Sequence, residues 1–167
     1  MIQVYTGNGK GKTTAALGLA LRASGASKNV YIGQFAKGRL YNEIKALKKI
    51  PHIRIEQFGR RCFIKKSADK IDVKLALAGF EAVKKIIRNK KHQLVILDEI
   101  NIAVKYNLVP LSDLIKLIEK TPKNIELVLT GRYAHPKILS LADLVSEIKE
   151  IKHYYGKGVK ARRGIEY

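Results

Sequence analysis

The feature that most narrows the folds open to this chain lies at its start. Tyr5-Thr6-Gly7-Asn8-Gly9-Lys10-Gly11-Lys12-Thr13-Thr14 follows a short apolar run, Ile2 to Thr6, and leads into an Ala- and Leu-rich stretch, Thr13 to Ala23, with Gly25 as a stop signal. That order predicts a strand, a glycine-rich loop and a buried helix. A loop that holds polyphosphate needs glycines, so that backbone N–H groups can converge on oxygen atoms, and a helix N-terminus behind it. It also needs a lysine to neutralise charge and a hydroxyl for magnesium. Gly7, Gly9 and Gly11, the helix opening at Thr13, Lys12 and the Thr13 hydroxyl meet these needs in turn, with Asn8, Lys10 and Thr14 completing the nucleotide-binding set. One position departs from the usual pattern: Thr6 stands where a glycine is customary.

Such a loop requires a carboxylate at the end of a buried strand to hold hydrated magnesium. Leu94-Val95-Ile96-Leu97-Asp98-Glu99 supplies Asp98 and Glu99 after a continuous aliphatic run. Asp98 would orient the metal or its water. Glu99 would contact the metal or activate a water, and its presence alone does not decide the reaction. Capping of the next helix is the structural alternative for the pair.

The remaining pattern predicts strands at Asn29 to Phe35, Ile53 to Phe58, Gln93 to Leu97, Ile125 to Thr130 and Leu144 to His153. Helices are predicted at Tyr41 to Lys49, at Asp69 to Arg88 with Val73, Leu77, Phe80, Val83 and Ile87 on one face, from Pro110, and at Pro136 to Leu141. Strands alternating with helices imply right-handed crossovers and a mostly parallel sheet covered on both faces. The expected fold class is therefore α/β, with residues 1–167 forming one domain, since a chain of 167 residues that is 46% apolar builds one substantial core.

Composition constrains the partners. Lys and Arg number 33 against 14 Asp and Glu, a formal net charge of +19 that favours anionic ligands. Basic residues beside glycines, Lys37-Gly38-Arg39 and Gly59-Arg60-Arg61, are better site candidates than the lysine pairs, because loops can wrap them around a ligand. Cys62 is the single cysteine, so no internal disulfide or cysteine zinc cluster is possible, and a soluble, cytoplasmic protein is expected. No run of about 18 apolar residues suggests a membrane span. A nucleic-acid-binding module would suit the charge, but no aromatic-interleaved recognition motif accompanies it. A P-loop NTPase or kinase is the competing enzyme class.

The residues of the loop, Thr6-Gly7-Asn8-Gly9-Lys10-Gly11-Lys12-Thr13-Thr14-Ala15-Ala16, closely resemble those of the P-loop corrinoid adenosyltransferases of cobalamin synthesis and salvage. The likeness continues through Gln34-Phe35-Ala36-Lys37-Gly38, Leu97-Asp98-Glu99-Ile100-Asn101, Leu127 to Arg132, Leu141 to Val145, Ile151-Lys152-His153, Gly158 to Ala161 and Gly164 to Tyr167. The resemblance implies a RecA-like P-loop fold and transfer of the 5′-deoxyadenosyl group of ATP to the Co(I) of a reduced corrinoid, releasing inorganic triphosphate. It implies an ATP bound in reverse relative to ordinary P-loop enzymes, Mg2+, a homodimer, and a reductant that can be an acidic flavoprotein. Lys12, Glu99 and Arg132 become the catalytic candidates, with Thr13, Asp98 and Glu99 at the metal.

Family members carry a segment ahead of the loop that closes over the site, whereas here the loop begins at Gly7, so closure is expected to differ. The family also presents an aromatic pair containing Trp to the lower corrinoid face, and this chain has no Trp. Phe58 and Phe63 are the nearest substitutes, and Lys160 is a further candidate for corrinoid contact. His135 and His153 read as packing or hydrogen-bonding residues.

Overall fold

The computed structural model describes residues 1–38, 41–60 and 69–167. The chain runs β1 (Ile2–Thr6), α1 (Lys12–Gly25), β2 (Val30–Phe35), α2 (Asn42–Leu47), β3 (Ile53–Phe58), α3 (Lys70–Asn89) and β4 (Leu94–Asp98). It continues through α4 (Ile100–Lys105), α5 (Leu111–Glu119), β5 (Glu126–Thr130), α6 (Pro136–Ser140) and β6 (Leu144–Glu147), then a 3-10 turn at Tyr154–Lys157.

The strands form one sheet of order β3-β2-β4-β5-β1-β6, with every pairing parallel. Parallel neighbours need crossover connections, and the helices that make them bury both faces. The two-residue period of the strands sorts side chains between two layers. Val30, Ile32, Leu94, Ile96 and Val128 meet Ala16 and Ala20 of α1 and Ile44 and Leu47 of α2. Tyr31, Phe35, Val95, Leu97, Leu127 and Leu129 meet α3, α4, α5 and α6 through Phe80, Val83, Ile100, Leu114 and Ile138. The α/β fold with a parallel sheet and helices on both faces is thus the observed one, in the manner of P-loop NTPases.

Three details differ from the sequence expectations. On α3 the buried face runs through Ala76, Phe80, Val83 and Ile87, while Leu77 points outward at 39% exposure. The last strand ends at Glu147 instead of His153. Its partner β1 stops at Thr6 and turns into the glycine loop, so the chain beyond Glu147 has no strand to pair with. The Ile148 carbonyl instead accepts from the Gly9 N–H at 2.7 Å. All four β6 residues are exposed, so alternation is absent there. Finally, the short helix α4 follows β4 at once, where the sequence pattern assigned no element.

The parallel arrangement decides where chemistry happens. In an open parallel sheet the carboxyl ends of all strands lie on one edge, and ligands bind there. The loop after β1, Asp98 at the end of β4, Lys37 just after β2 and Thr130 at the end of β5 are all gathered at that edge.

Candidate nucleotide site

The glycine loop adopts its path because larger residues would not fit. Gly7 and Gly11 have φ of 96° and 124°, a region that residues with a Cβ rarely enter. A Cβ on Gly9 would lie 2.7 Å from the Lys149 carbonyl oxygen, and one on Gly7 would collide with the Ile148 backbone. The segment after β6 therefore braces the loop from outside. Lys12 opens α1 with its ammonium folded back, donating to the carbonyls of Gly7 at 2.8 Å and Gly9 at 2.7 Å. Burial pushes the Lys12 pKa down, with Arg132 and Lys37 adding to the effect and Glu99 and Asp98 opposing it.

Asp98 is the hub. Its side chain is fully buried, and a buried carboxylate persists only with partners. One oxygen accepts from Thr13 Oγ1 at 2.9 Å and Thr130 Oγ1 at 2.6 Å. The other accepts from Gln34 Nε2 at 3.0 Å and Lys37 Nζ at 2.9 Å. Burial alone would raise its pKa, but the Lys37 charge and the hydrogen bonds from Thr130, Lys37 and Thr13 outweigh it and hold the carboxyl below its ordinary value. The Lys37 ammonium also touches Thr13 Oγ1 at 3.1 Å and Glu99 Oε1 at 3.5 Å. Its burial is opposed by Asp98 and Glu99, and the net effect raises its pKa, so the lysine stays charged.

Glu99 sits at the junction of β4 and α4 with φ 59°, and its N–H donates to Thr130 Oγ1 at 3.0 Å. It precedes α4 without capping it by its side chain, so the helix-capping alternative does not describe this residue. Gly131, with φ 126°, allows Asn101 and Glu99 to approach closely; a Cβ there would be 3.2 Å from each. Arg132 follows, and its guanidinium donates to the Asn8 carbonyl at 3.1 Å.

These residues open on one cavity of about 1080 Å³. Gly9 to Thr14, Lys37, Glu99 and Arg132 make its polar end. Leu17, Gly18 and Leu21 of α1 face Tyr41, Ala46, Leu47 and Ile50 across its apolar part. The far rim is Gly164 to Tyr167, tied down where Lys10 Nζ meets Glu166 and Tyr154 at 2.8 Å each and where Asn42 Nδ2 reaches the Tyr167 carbonyl at 2.9 Å.

The structure therefore brings together Gly9, Lys10, Gly11, Lys12, Thr13, Thr14, Glu99 and Arg132 on the cavity, with Gly7, Asn8 and Asp98 directly behind them. Three corrinoid candidates fare differently. Phe58 is half-buried against Phe35, ring centroids 5.6 Å apart, and over Gly79 of α3, away from the cavity. Phe63 lies outside the described residues, as does Cys62. Lys160 is exposed and does not line the cavity. His135 and His153 cap short helices by accepting from Lys137 N and Tyr155 N. Sequence reasoning missed Gln34 and Thr130 as partners of Asp98; a polar residue at or next to the end of a buried strand was the available signal.

A divalent cation fits this edge. Thr13 Oγ1, Asp98 and Glu99 surround a point already taken by a positive charge, the Lys37 ammonium. No group of three or more His, Cys, Asp or Glu gathers there or elsewhere among the described residues, so a hard cation would draw further oxygens from phosphate and water, as magnesium does.

Comparison with known proteins gives the family. The profile of the ATP:corrinoid adenosyltransferase family BtuR/CobO/CobP matches residues 1–167. The chain belongs to this family. It is 36% identical over 167 residues to the corrinoid adenosyltransferase CobA of Salmonella typhimurium, covering 100% of this chain and 85% of that protein. It is 35% identical over 167 residues to the corrinoid adenosyltransferase of Escherichia coli K12, with the same coverage, and 33% identical over 177 residues to that of a Sinorhizobium species, covering 80% of the latter. Like the family, the chain is an adenosyltransferase that acts on corrinoids. No helix among the described residues is long and apolar enough to cross a membrane.

Proposed function

We propose that the cavity holds ATP with its triphosphate on the Gly7–Thr14 loop, as a leaving group, while the reduced corrinoid attacks C5′. In that reaction Co(I) supplies both electrons of the new cobalt–carbon bond, the C5′–O bond breaks, and triphosphate departs with the bonding pair. The nucleophile is the substrate's own metal, so no side chain need activate it. What the protein must supply is alignment of C5′ and stabilisation of charge gathering on the departing oxygens.

The observation that carries this reading is the clustering of Lys12, Lys37 and Arg132 at one end of the cavity. Lys12 and the loop amides would bind the triphosphate, and Arg132, already touching the loop at Asn8, would secure it. Thr13 and Asp98, with Glu99, would hold magnesium or its water. Magnesium bound there adds positive charge beside the phosphate oxygens. Glu99 lies 3.5 Å from the Lys37 ammonium.

The corrinoid would approach from the loops after β2 and β3. Gly38 and Gly59 are pressed together there, and a Cβ on Gly59 would lie 2.5 Å from Lys37 N. Gly59 is thereby held beside Lys37, four residues ahead of Phe63 in the sequence, which supports Phe63 as the aromatic residue for the lower corrinoid face. Phe58 packs against Phe35 and Gly79. A cytoplasmic homodimer served by an acidic flavoprotein completes the proposal; the formal charge of +19 supports such docking. The testing experiment supplies ATP, magnesium and chemically reduced cobalamin and follows the corrinoid absorbance together with the phosphate product. Formation of a cobalt–carbon bond with triphosphate supports the reading, and orthophosphate without that bond refutes it.

A further inference from the structure

Lys37 occupies a place that its lysine chemistry alone does not explain. Its ammonium has three N–H donors, and all three directions meet oxygen: Asp98 Oδ2 at 2.9 Å, Thr13 Oγ1 at 3.1 Å and Glu99 Oε1 at 3.5 Å. These are the three side chains assigned above to the metal. An ammonium and a divalent ion cannot share such a spot, because two positive charges a few ångströms apart repel strongly where water is scarce. One must leave when the other arrives.

The local backbone suits a lysine that moves while its main chain stays. Ala36, with φ 54°, turns the chain sharply after β2 and aims residue 37 back across the strand ends. Gly38 is packed against the Gly59 carbonyl, which fixes the backbone beyond it. The side chain itself is 21% exposed and lines the nucleotide cavity beside Lys12 and Arg132, so its stem has an open path away from Asp98. Asp98 has no such freedom, with two hydroxyls and an amide holding it in place.

We propose that Lys37 is a displaceable internal counter-ion: it neutralises Asp98 until a divalent cation takes that position, then swings into the cavity to meet the polyphosphate. Loading of the metal and gripping of the triphosphate are thereby one coupled event, and the buried carboxylate is never left without a positive partner. This inference rests on the assignment of Thr13 and Asp98 to the metal, so its test must separate the two.

The test is Mn2+ binding without nucleotide, read as free Mn2+ by electron paramagnetic resonance, for the full chain, for Lys37→Met and for Asp98→Asn. Removing a competing unit charge at this range should tighten Mn2+ binding in Lys37→Met by on the order of tenfold or more. Affinity equal to or weaker than that of the unaltered chain, or no saturable binding in Lys37→Met, overturns the inference. Saturable binding that survives Asp98→Asn instead overturns the metal assignment beneath it. A second measurement needs no variant: acylation of Lys37 by an amine-reactive reagent, mapped by peptide mass spectrometry. Its rate should rise several-fold on addition of Mn2+ and fall again with Mn2+ and tripolyphosphate together. A rate indifferent to both shows a fixed lysine and refutes the displacement, including where Lys37→Met does not fold.

Discussion

Replacing Asp98 by asparagine removes the charge at the centre of the strand-end network while keeping its shape. Lys37 would then be left with Glu99 at 3.5 Å as its carboxylate neighbour. The new amide can place its oxygen toward Lys37 and Gln34 and its NH2 toward the hydroxyls of Thr13 and Thr130, which can rotate to accept. Hydrogen bonding is therefore largely preserved, and the loss is mainly the charge. Breaking a buried ion pair costs ~3–5 kcal/mol, and because Lys37 is part-exposed the lower end applies, about 3 kcal/mol. For a chain of this size each kcal/mol moves the melting temperature by roughly 2–4 °C, giving a fall of about 6–12 °C. Asp98→Ala also strips acceptors from Thr13, Thr130 and Gln34 and should cost about 3 kcal/mol more, at roughly 1 kcal/mol for each hydrogen bond. Urea unfolding in the presence of a metal chelator reads both values, and Asp98→Asn with Lys37→Met should recover part of the loss, since neither charge is then stranded. A loss below about 1 kcal/mol for Asp98→Asn, at unchanged m-value, would refute the view that this carboxylate organises the site.

Lys12→Ala should lower the rate of transfer from chemically reduced cobalamin by about 3 kcal/mol of transition-state stabilisation, close to a hundredfold or more, in stopped-flow absorbance. Gly9→Ala should displace the loop from the Ile148–Lys149 backbone and weaken ATP binding, measured by calorimetry, whereas Gly18→Ala, with nothing within 4 Å of the new methyl, should raise stability by roughly 0.5–1 kcal/mol. Asp72 is held below its ordinary pKa by Arg60, and Asp98 by Lys37 and its hydroxyl partners against burial. Both native values lie below the unfolded one, so their stabilisation is complete above about pH 4 and is lost as pH falls through the native values. Urea midpoints should accordingly hold between pH 5 and 7 and drop below pH 4; a midpoint that stays level down to pH 3 would contradict those shifts.

The fold was legible because its signals are local and repetitive. β4 and β5 are short, nearly continuous apolar runs, and the glycine loop between β1 and α1 marks the end of the sheet at which ligands bind. The candidate site was legible where a residue is singled out by its own type, as with Lys12, Thr13, Asp98 and Glu99, which the fold gathers at one end of the sheet. It was not where a role arises from crossing strands. Gln34, Asp98 and Thr130 come from three separate strands, and only the β2-β4-β5 order makes them neighbours. The overlong prediction for β6 has the same origin, since the apolar pattern beyond Glu147 continues where the partner strand does not.

The central claim is that the bond broken is C5′–O and that triphosphate leaves whole. ATP carrying 18O in the C5′–O–P bridge, turned over with magnesium and reduced cobalamin, tests it by mass spectrometry of the inorganic product. The account predicts that the label departs in the triphosphate, one equivalent for each cobalt–carbon bond formed. Label retained on the nucleoside, with orthophosphate or pyrophosphate released, would place the cleavage at phosphorus and contradict it.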